Sequence, residues 1–341
     1  MSAAQELRGG RTRWVILAII AVFALGTATL YTVQAFGRYQ NRTTGVSAAA
    51  VSGESLPAQN RLVFRNTATG TGYGMLAAVS LEDPQGARSL TQTACDRVDA
   101  AAGIISCMRT VRGVPTTFET DVLDVSGNVL DTEPLAGLPS RTRVSDGGLV
   151  ATTSFVTGHS YATDSFSTET VIKGSDGTDF GNLEYYTMWV DGQELTAIDR
   201  NVWGVTFVNE DDFYATAASG GKTWLMRGSI ADRSMTSVLE NAECPSISPQ
   251  RDKVAYKKRS TRLGLIHWDI AVLDLATKEE IIIPLDDGYD DQIEWLDDGT
   301  MLFGQPRSGE MGDSDIFKVK AQENAVPELF IEHAWSPSVD R

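Results

Sequence analysis

The chain has 341 residues, 42% of them hydrophobic, and carries 45 acidic against 29 basic side chains for a net charge of −16. That apolar content fills a real core, so wholesale disorder is excluded, and three cysteines cannot staple a disulfide-rich mini-protein. A phosphate backbone demands a basic face, so composition also argues against nucleic-acid binding.

Residues 14–33 contain no charge, a run of the length that spans a bilayer as a helix. Arg8, Arg11 and Arg13 precede it, and Trp14 and Tyr31 stand near its two ends, where amphipathic rings settle at headgroup level. The expected organisation is a cytoplasmic N-terminus (1–13), a signal-anchor helix (14–36), a flexible linker (37–60) and an extracytoplasmic domain (61–341). The expectation is therefore a single-pass protein of the bacterial plasma membrane, attached to the bilayer by that helix. The alternative is a cleaved signal peptide, with a small-residue site at Val33, Gln34 and Ala35. Five arginines and one glutamate lie before residue 43, so the remainder carries −20.

Beyond residue 60 long helical periods give way to short alternating runs broken by Gly, Asp and Asn, the signature of strands. One hairpin recurs from Asp96, Thr142, Thr206, Ser246 and Glu294, and its first strand alone returns from Ala334. The residues Val98, Val144, Val208, Ile247, Leu296 and Trp335 mark the repeat, which has the spacing of four-stranded propeller blades. The last unit stops after one strand, and three unassigned strands lie near Leu62, Met75 and Arg88. The expectation is an all-β, six-bladed β-propeller closed by both termini, because joining the two ends pairs edges that would otherwise be exposed.

The segment SISPQRDKVAY from Ser246, followed by DIAVLDLATKEEI from Asp269, resembles the repeat of the TolB-like β-propellers, as does EHAWSPSV from Glu332. CDRVDAAAGIISC from Cys95 and DDQIEWLDDGTMLFG from Asp290 resemble a membrane-anchored bacterial subgroup. The resemblance covers about residues 60–341 and implies fold more than function. TolB itself carries a further α/β domain before its propeller and works with envelope partners; here a linker stands in that place.

Cys95 and Cys107 flank one inner hairpin, where a disulfide fits an oxidising compartment, and Cys244 reads as a buried apolar residue. Asp286, Asp287, Asp290 and Asp291 lead into the sixth inner hairpin, with Asp297 and Asp298 in its turn. Oxygen-rich loops suit Ca²⁺, but this run lacks EF-hand order and reads as solvated turn carboxylates, so no cofactor is expected. The run from Ser219 to Thr223 lacks the first glycine of a phosphate loop and reads as a hairpin turn. His159, His267 and His333 form no zinc-peptidase spacing, and no nucleophile elbow occurs. Residues 158–183 make the third unit longest, and His159, Tyr161, Phe166 and Phe180 are its candidate contact residues, beside the four aspartates. The function expected is a non-enzymatic envelope binding or scaffolding module for a protein or envelope polymer, with no nucleic acid. The alternative is a carbohydrate-active enzyme using funnel carboxylates.

Overall fold

The computed structural model describes residues 3–156 and 167–341. Two compact units emerge: residues 1–48 with 69–73, and residues 49–68 with 74–341.

The first unit is built on one α-helix, Ala3–Thr43, whose segment Arg13–Thr43 is long and apolar enough to cross a membrane. Its threonines do not oppose that environment. Thr29 and Thr32 hydroxyls donate to the carbonyls four residues back, both at 2.8 Å, so neither hydroxyl needs water. The helix continues seven residues past the expected boundary at 36, because residues 37–43 hold no proline to end it and Gly37 alone does not.

The expected linker is only partly a linker. Residues 49–60 belong to the second unit. Val51 forms a parallel bridge to Arg88, and Leu56 is buried with Val63, Leu76 and Ile105. Small and polar composition concealed one apolar anchor, which is sufficient to fix the chain.

The second unit is the six-bladed propeller. Blade 1 is shared: Ala334–Asp340 is its inner strand and pairs antiparallel with Arg61–Asn66, followed by Met75–Ser80 and Ser89–Ala94. The inner strands of blades 2 to 6 are Arg97–Ala101, Leu138–Val144, Asn201–Phe207, Glu243–Ile247 and Glu294–Asp297. Each leads an antiparallel four-stranded sheet, except that blade 4 gains two outer strands. Thr187–Val190 joins blade 4 parallel to Ser234–Glu240, and Gln193–Glu194 pairs outside it.

Alternation along each strand divides its side chains between two neighbouring blades. In blade 1, Leu62 and Phe64 pack with Leu302 and Ile316 of blade 6, while Val63 packs with Val98 and Ile105 of blade 2. Five of the six interfaces are filled by large apolar residues; the exception, between blades 2 and 3, rests on Val122, Val144 and Val150.

Closure is secured by an ion pair as well as by strand pairing. Arg61 is fully buried, opposite Asp340 in register. Its Nε and Nη2 each lie 2.9 Å from the Asp340 carboxylate, and its Nη1 donates to the carbonyls of Pro57 and Val125.

Candidate functional site

An inner strand is a sheet edge, and its outward N–H and C=O groups require partners. The sequence supplies them from the next blade, around the ring. Ser336 and Ser338 of blade 1 accept from the Val98 and Ala100 amides of blade 2, at 3.2 and 2.8 Å. Asp99 of blade 2 accepts from Val144 N–H of blade 3 at 2.7 Å. Thr168 and Thr170 of blade 3 donate to the Val202 carbonyl of blade 4. Thr206 of blade 4 accepts from Ile247 N–H of blade 5 at 3.2 Å, and Trp295 of blade 6 donates to the Ser246 carbonyl of blade 5 at 3.0 Å. Glu294 of blade 6 accepts from Val339 N–H of blade 1 at 3.0 Å, completing the circuit. The inner strands also crowd. A Cβ at Gly204 would lie 2.8 Å from the Cα of Cys244 in blade 5, and Gly204 has φ +65°, so glycine is required there twice over.

Within this ring, alternate inner residues carry charge. In one layer Arg143 Nη1 lies 3.0 Å from Asp99 Oδ1 and 2.5 Å from Glu294 Oε2, while its Nη2 donates to the Ile293 carbonyl at 2.8 Å. Burial pushes the Asp99 carboxyl up to about 7; Arg143 opposes that shift and the nearby Glu294 adds to it. Burial would lower the Arg143 guanidinium, but Asp99 and Glu294 outweigh it and hold it above its ordinary value.

A second layer joins Arg97 to Asp291 at 2.7 Å, with the Arg97 guanidinium 5.0 Å from the centre of the Trp335 ring. Burial, helped by neighbouring Arg141, lowers Arg97 to about 10, with Asp291 resisting. Asp290 receives Lys257 at 2.6 Å and Arg141 at 3.2 Å. Its side chain is 80% exposed whereas both cations beneath it are buried. Its partial burial acts upward, yet Lys257 and Arg141 hold its carboxyl below the usual range.

The Asp99–Arg143–Glu294 layer forms the floor of a polar cavity of about 230 Å³. Asp146, Asn209, Glu210 and Arg251 stand on its rim. Arg251 pairs with Asp146 at 2.8 Å, and Glu210 accepts from Ser145 and from Gly147 N–H. Concave, hydrogen-bonding and held by rigid strands, this mouth is suited to recognition.

The sequence-derived candidates fare unequally. Cys95 and Cys107 form a disulfide, with Cα atoms 5.3 Å apart. In register Cys107 stands opposite Val98, and Cys95 reaches it from the connection leading into that strand. Cys244 is buried, as expected. Asp286 and Asp287 are exposed, and Asp297 and Asp298 accept turn and loop amides. Asp291 is a correction: it is a buried, ion-paired member of the channel and not a solvated turn carboxylate, whereas Asp290 is exposed, as expected, and also pairs with Lys257 and Arg141. Among the described residues no group of three His, Cys, Asp or Glu gathers to hold a metal ion. Phe180 is also corrected: it lies on the outer strand Asp179–Asn182 of blade 3 and packs against the blade 3–4 core, not on a free loop. The described part of the segment 158–183 is blade structure, with Ser167–Gly174 pairing along Leu149–Val156. His159, Tyr161 and Phe166 lie outside the described residues. The charged residues missed in sequence are Arg97, Asp99, Arg141, Arg143, Lys257 and Glu294. Part of the signal was present: Arg97 with Asp99, and Arg141 with Arg143, stand two residues apart inside inner strands.

No protein-family model matches the chain, and no curated relative matches it. Among solved structures it is similar to TolB from Acinetobacter baumannii, with 13% identity and a TM-score of 0.55, covering 83% of this chain and 67% of that one. A TolB from Agrobacterium tumefaciens aligns with 11% identity and a TM-score of 0.46, over 84% of this chain and 94% of that one. An oligogalacturonate lyase from Vibrio parahaemolyticus aligns with 10% identity and a TM-score of 0.44, over 74% and 73%. At these identities the likeness is one of fold. The second unit of this chain is a six-bladed β-propeller, similar in fold to TolB from Acinetobacter baumannii.

Proposed function

We propose that this chain is a non-enzymatic binding module of the bacterial cell envelope, anchored in the plasma membrane by its N-terminal helix. Its cytoplasmic end carries the arginines and its propeller faces outward. The apolar helix and the disulfide support that placement. The observation that carries the binding reading is the use made of the channel carboxylates. Asp99 and Glu294 each clamp an amide of the neighbouring blade, and a single guanidinium stands against both. Acids so engaged are poorly free to exchange protons with a substrate, whereas the polar mouth above them is open to an envelope protein or polymer. An anchor also confines the mouth near the bilayer and raises the effective concentration of a membrane-bound partner.

One observation favours the second reading, a carbohydrate-active enzyme. Asp99 is lifted to about 7 beside a second carboxylate, an arrangement that separates an acid from a base. The two readings part in one experiment. A photo-crosslinking residue at Asn209, on the rim, should yield a discrete adduct in intact cells, and the same residue at Ile282, on an outer strand, should not. Glycoside turnover by the full chain, abolished by Asp99→Asn and by Glu294→Gln, would defeat the binding reading.

A further inference from the structure

The interface between blades 2 and 3 differs from the other five. Between blades 5 and 6 the facing positions hold Ile270, Ile283, Trp295, Met301 and Phe303. Between blades 2 and 3 the third strand of blade 2 (Thr117–Asp124) presents Thr120 and Val122, two residues apart on one face. The facing strand Leu149–Val156 of blade 3 answers with Val150 and Thr152. Sheets packed face to face stand about 10 Å apart, and side chains this small cannot fill that distance. A cleft of about 250 Å³ is left.

The border of this cleft is acidic. Asp131 and Glu133 come from the outer strand of blade 2, and Glu169 and Asp179 from blade 3. Lys173 is the one cation among the described lining residues, and it is engaged with Glu133 at 2.7 Å. Inside, Thr120 is only 3% exposed, and its hydroxyl has no hydrogen-bond partner among the described residues. A buried hydroxyl left unpaired is costly, and its lone pairs can accept from an N–H donor.

From the apolar valine walls, the excess of carboxylates and this unpartnered hydroxyl, we infer that the blade 2–3 cleft binds a small organic amine. Its apolar body lies against Val122, Val150 and Val171, and its ammonium group donates to Glu169 and to Thr120 Oγ1. The volume admits a compact molecule and not a folded segment. This site is separate from the channel mouth and does not depend on the function assigned to that mouth.

Benzylammonium, titrated into the full chain in detergent micelles and followed by calorimetry, is the probe. Benzyl alcohol, with the same body and no charge, is its control. Benzylammonium should bind and the alcohol should bind at least about ten-fold more weakly, since a charge-assisted hydrogen bond is lost. Glu169→Gln should weaken the amine about five-fold or more. Thr120→Val should weaken it about three-fold while raising the melting temperature of the ligand-free protein, because the unpaired hydroxyl is gone. Val171→Phe fills the cleft and should abolish binding without unfolding the chain. Equal affinity for amine and alcohol, or binding undiminished in Val171→Phe, would overturn the assignment. So would tighter binding of an acetylated lysine tripeptide than of benzylammonium, since the occupant would then be a polypeptide.

Discussion

Replacing Asp340 by alanine removes one half of the ion pair that closes the ring. Arg61 is fully buried, and the Asp340 side chain is 9% exposed, so solvent cannot take over the carboxylate's role. The guanidinium keeps its bonds to the Pro57 and Val125 carbonyls but loses the Nε hydrogen bond to Asp340 and the Nη2 ion-pair contact. Breaking a buried pair from one side costs about 3–5 kcal/mol, most of it the burden of a buried unpaired charge. For a domain of this size that lowers Tm by roughly 5–8 °C. Replacing both partners, Arg61→Met with Asp340→Leu, should recover most of the loss, because the charge leaves with its counterion. The comparison is Glu240→Ala, which breaks the exposed Lys222–Glu240 pair and should shift nothing measurable. Denaturant and thermal melts of the full chain in micelles decide it. An Asp340→Ala protein that melts with Glu240→Ala would falsify the role given to this pair, and closure would then rest on strand pairing alone.

Three further outcomes are expected. Non-reduced peptide mapping should recover Cys95 joined to Cys107, and the double alanine variant should lose about 2–3 kcal/mol, the cross-link closing a short loop in the unfolded chain; free thiols at both positions in protein from its own compartment would refute the bridge. Asp99 sits near 7 when folded against about 3.9 unfolded, so between these values the folded state binds more protons, and stability should fall as pH rises through that window and level off above it. Melts at pH 5 and 8 should show that fall in the native chain and a smaller one in Asp99→Asn; identical slopes would remove Asp99 as the cause. Protease added to intact spheroplasts should digest the propeller and leave a membrane fragment, and a protected propeller would reverse the orientation.

The architecture was legible because it is written in repetition. Six returns of one hairpin, the last cut to a single strand, contain both the blade number and the closure of Ala334–Asp340 on Arg61–Asn66. The site was less legible because a propeller assembles its channel from single residues of blades far apart in sequence. Arg97 meets Asp291, and Arg143 meets Glu294, across roughly half of the chain, and no local motif records such pairs. The aspartates near residue 290 were found by their density, but density alone could not separate exposed Asp286 from buried Asp291. The long third unit misled for a related reason. Its strands Ser167–Gly174 and Asp179–Asn182 are rich in Thr, Gly and Asp, which imitates a loop, and their role appears only in the pairing with Leu149–Val156.

Charge placement constrains how this propeller meets a partner. Along the channel Arg97, Arg141, Arg143 and Lys257 stand against Asp99, Asp290, Asp291 and Glu294, so the axis is balanced. The acidity of the chain therefore resides on its outer surface, and there it acts at range. An outer field of one sign steers basic partners toward the ring and repels bare anionic lipid, and salt weakens both effects. Balanced polar groups at the mouth add no such pull; they select by hydrogen-bond geometry once contact is made. On the proposed binding reading, encounter and selection therefore belong to different parts of the same ring. Lowering surface charge should slow association and flatten its salt dependence while leaving the dissociation rate unchanged. Substitution on the rim at Asn209 or Arg251 should do the reverse, and a rim variant that changes only the association rate would refute this division.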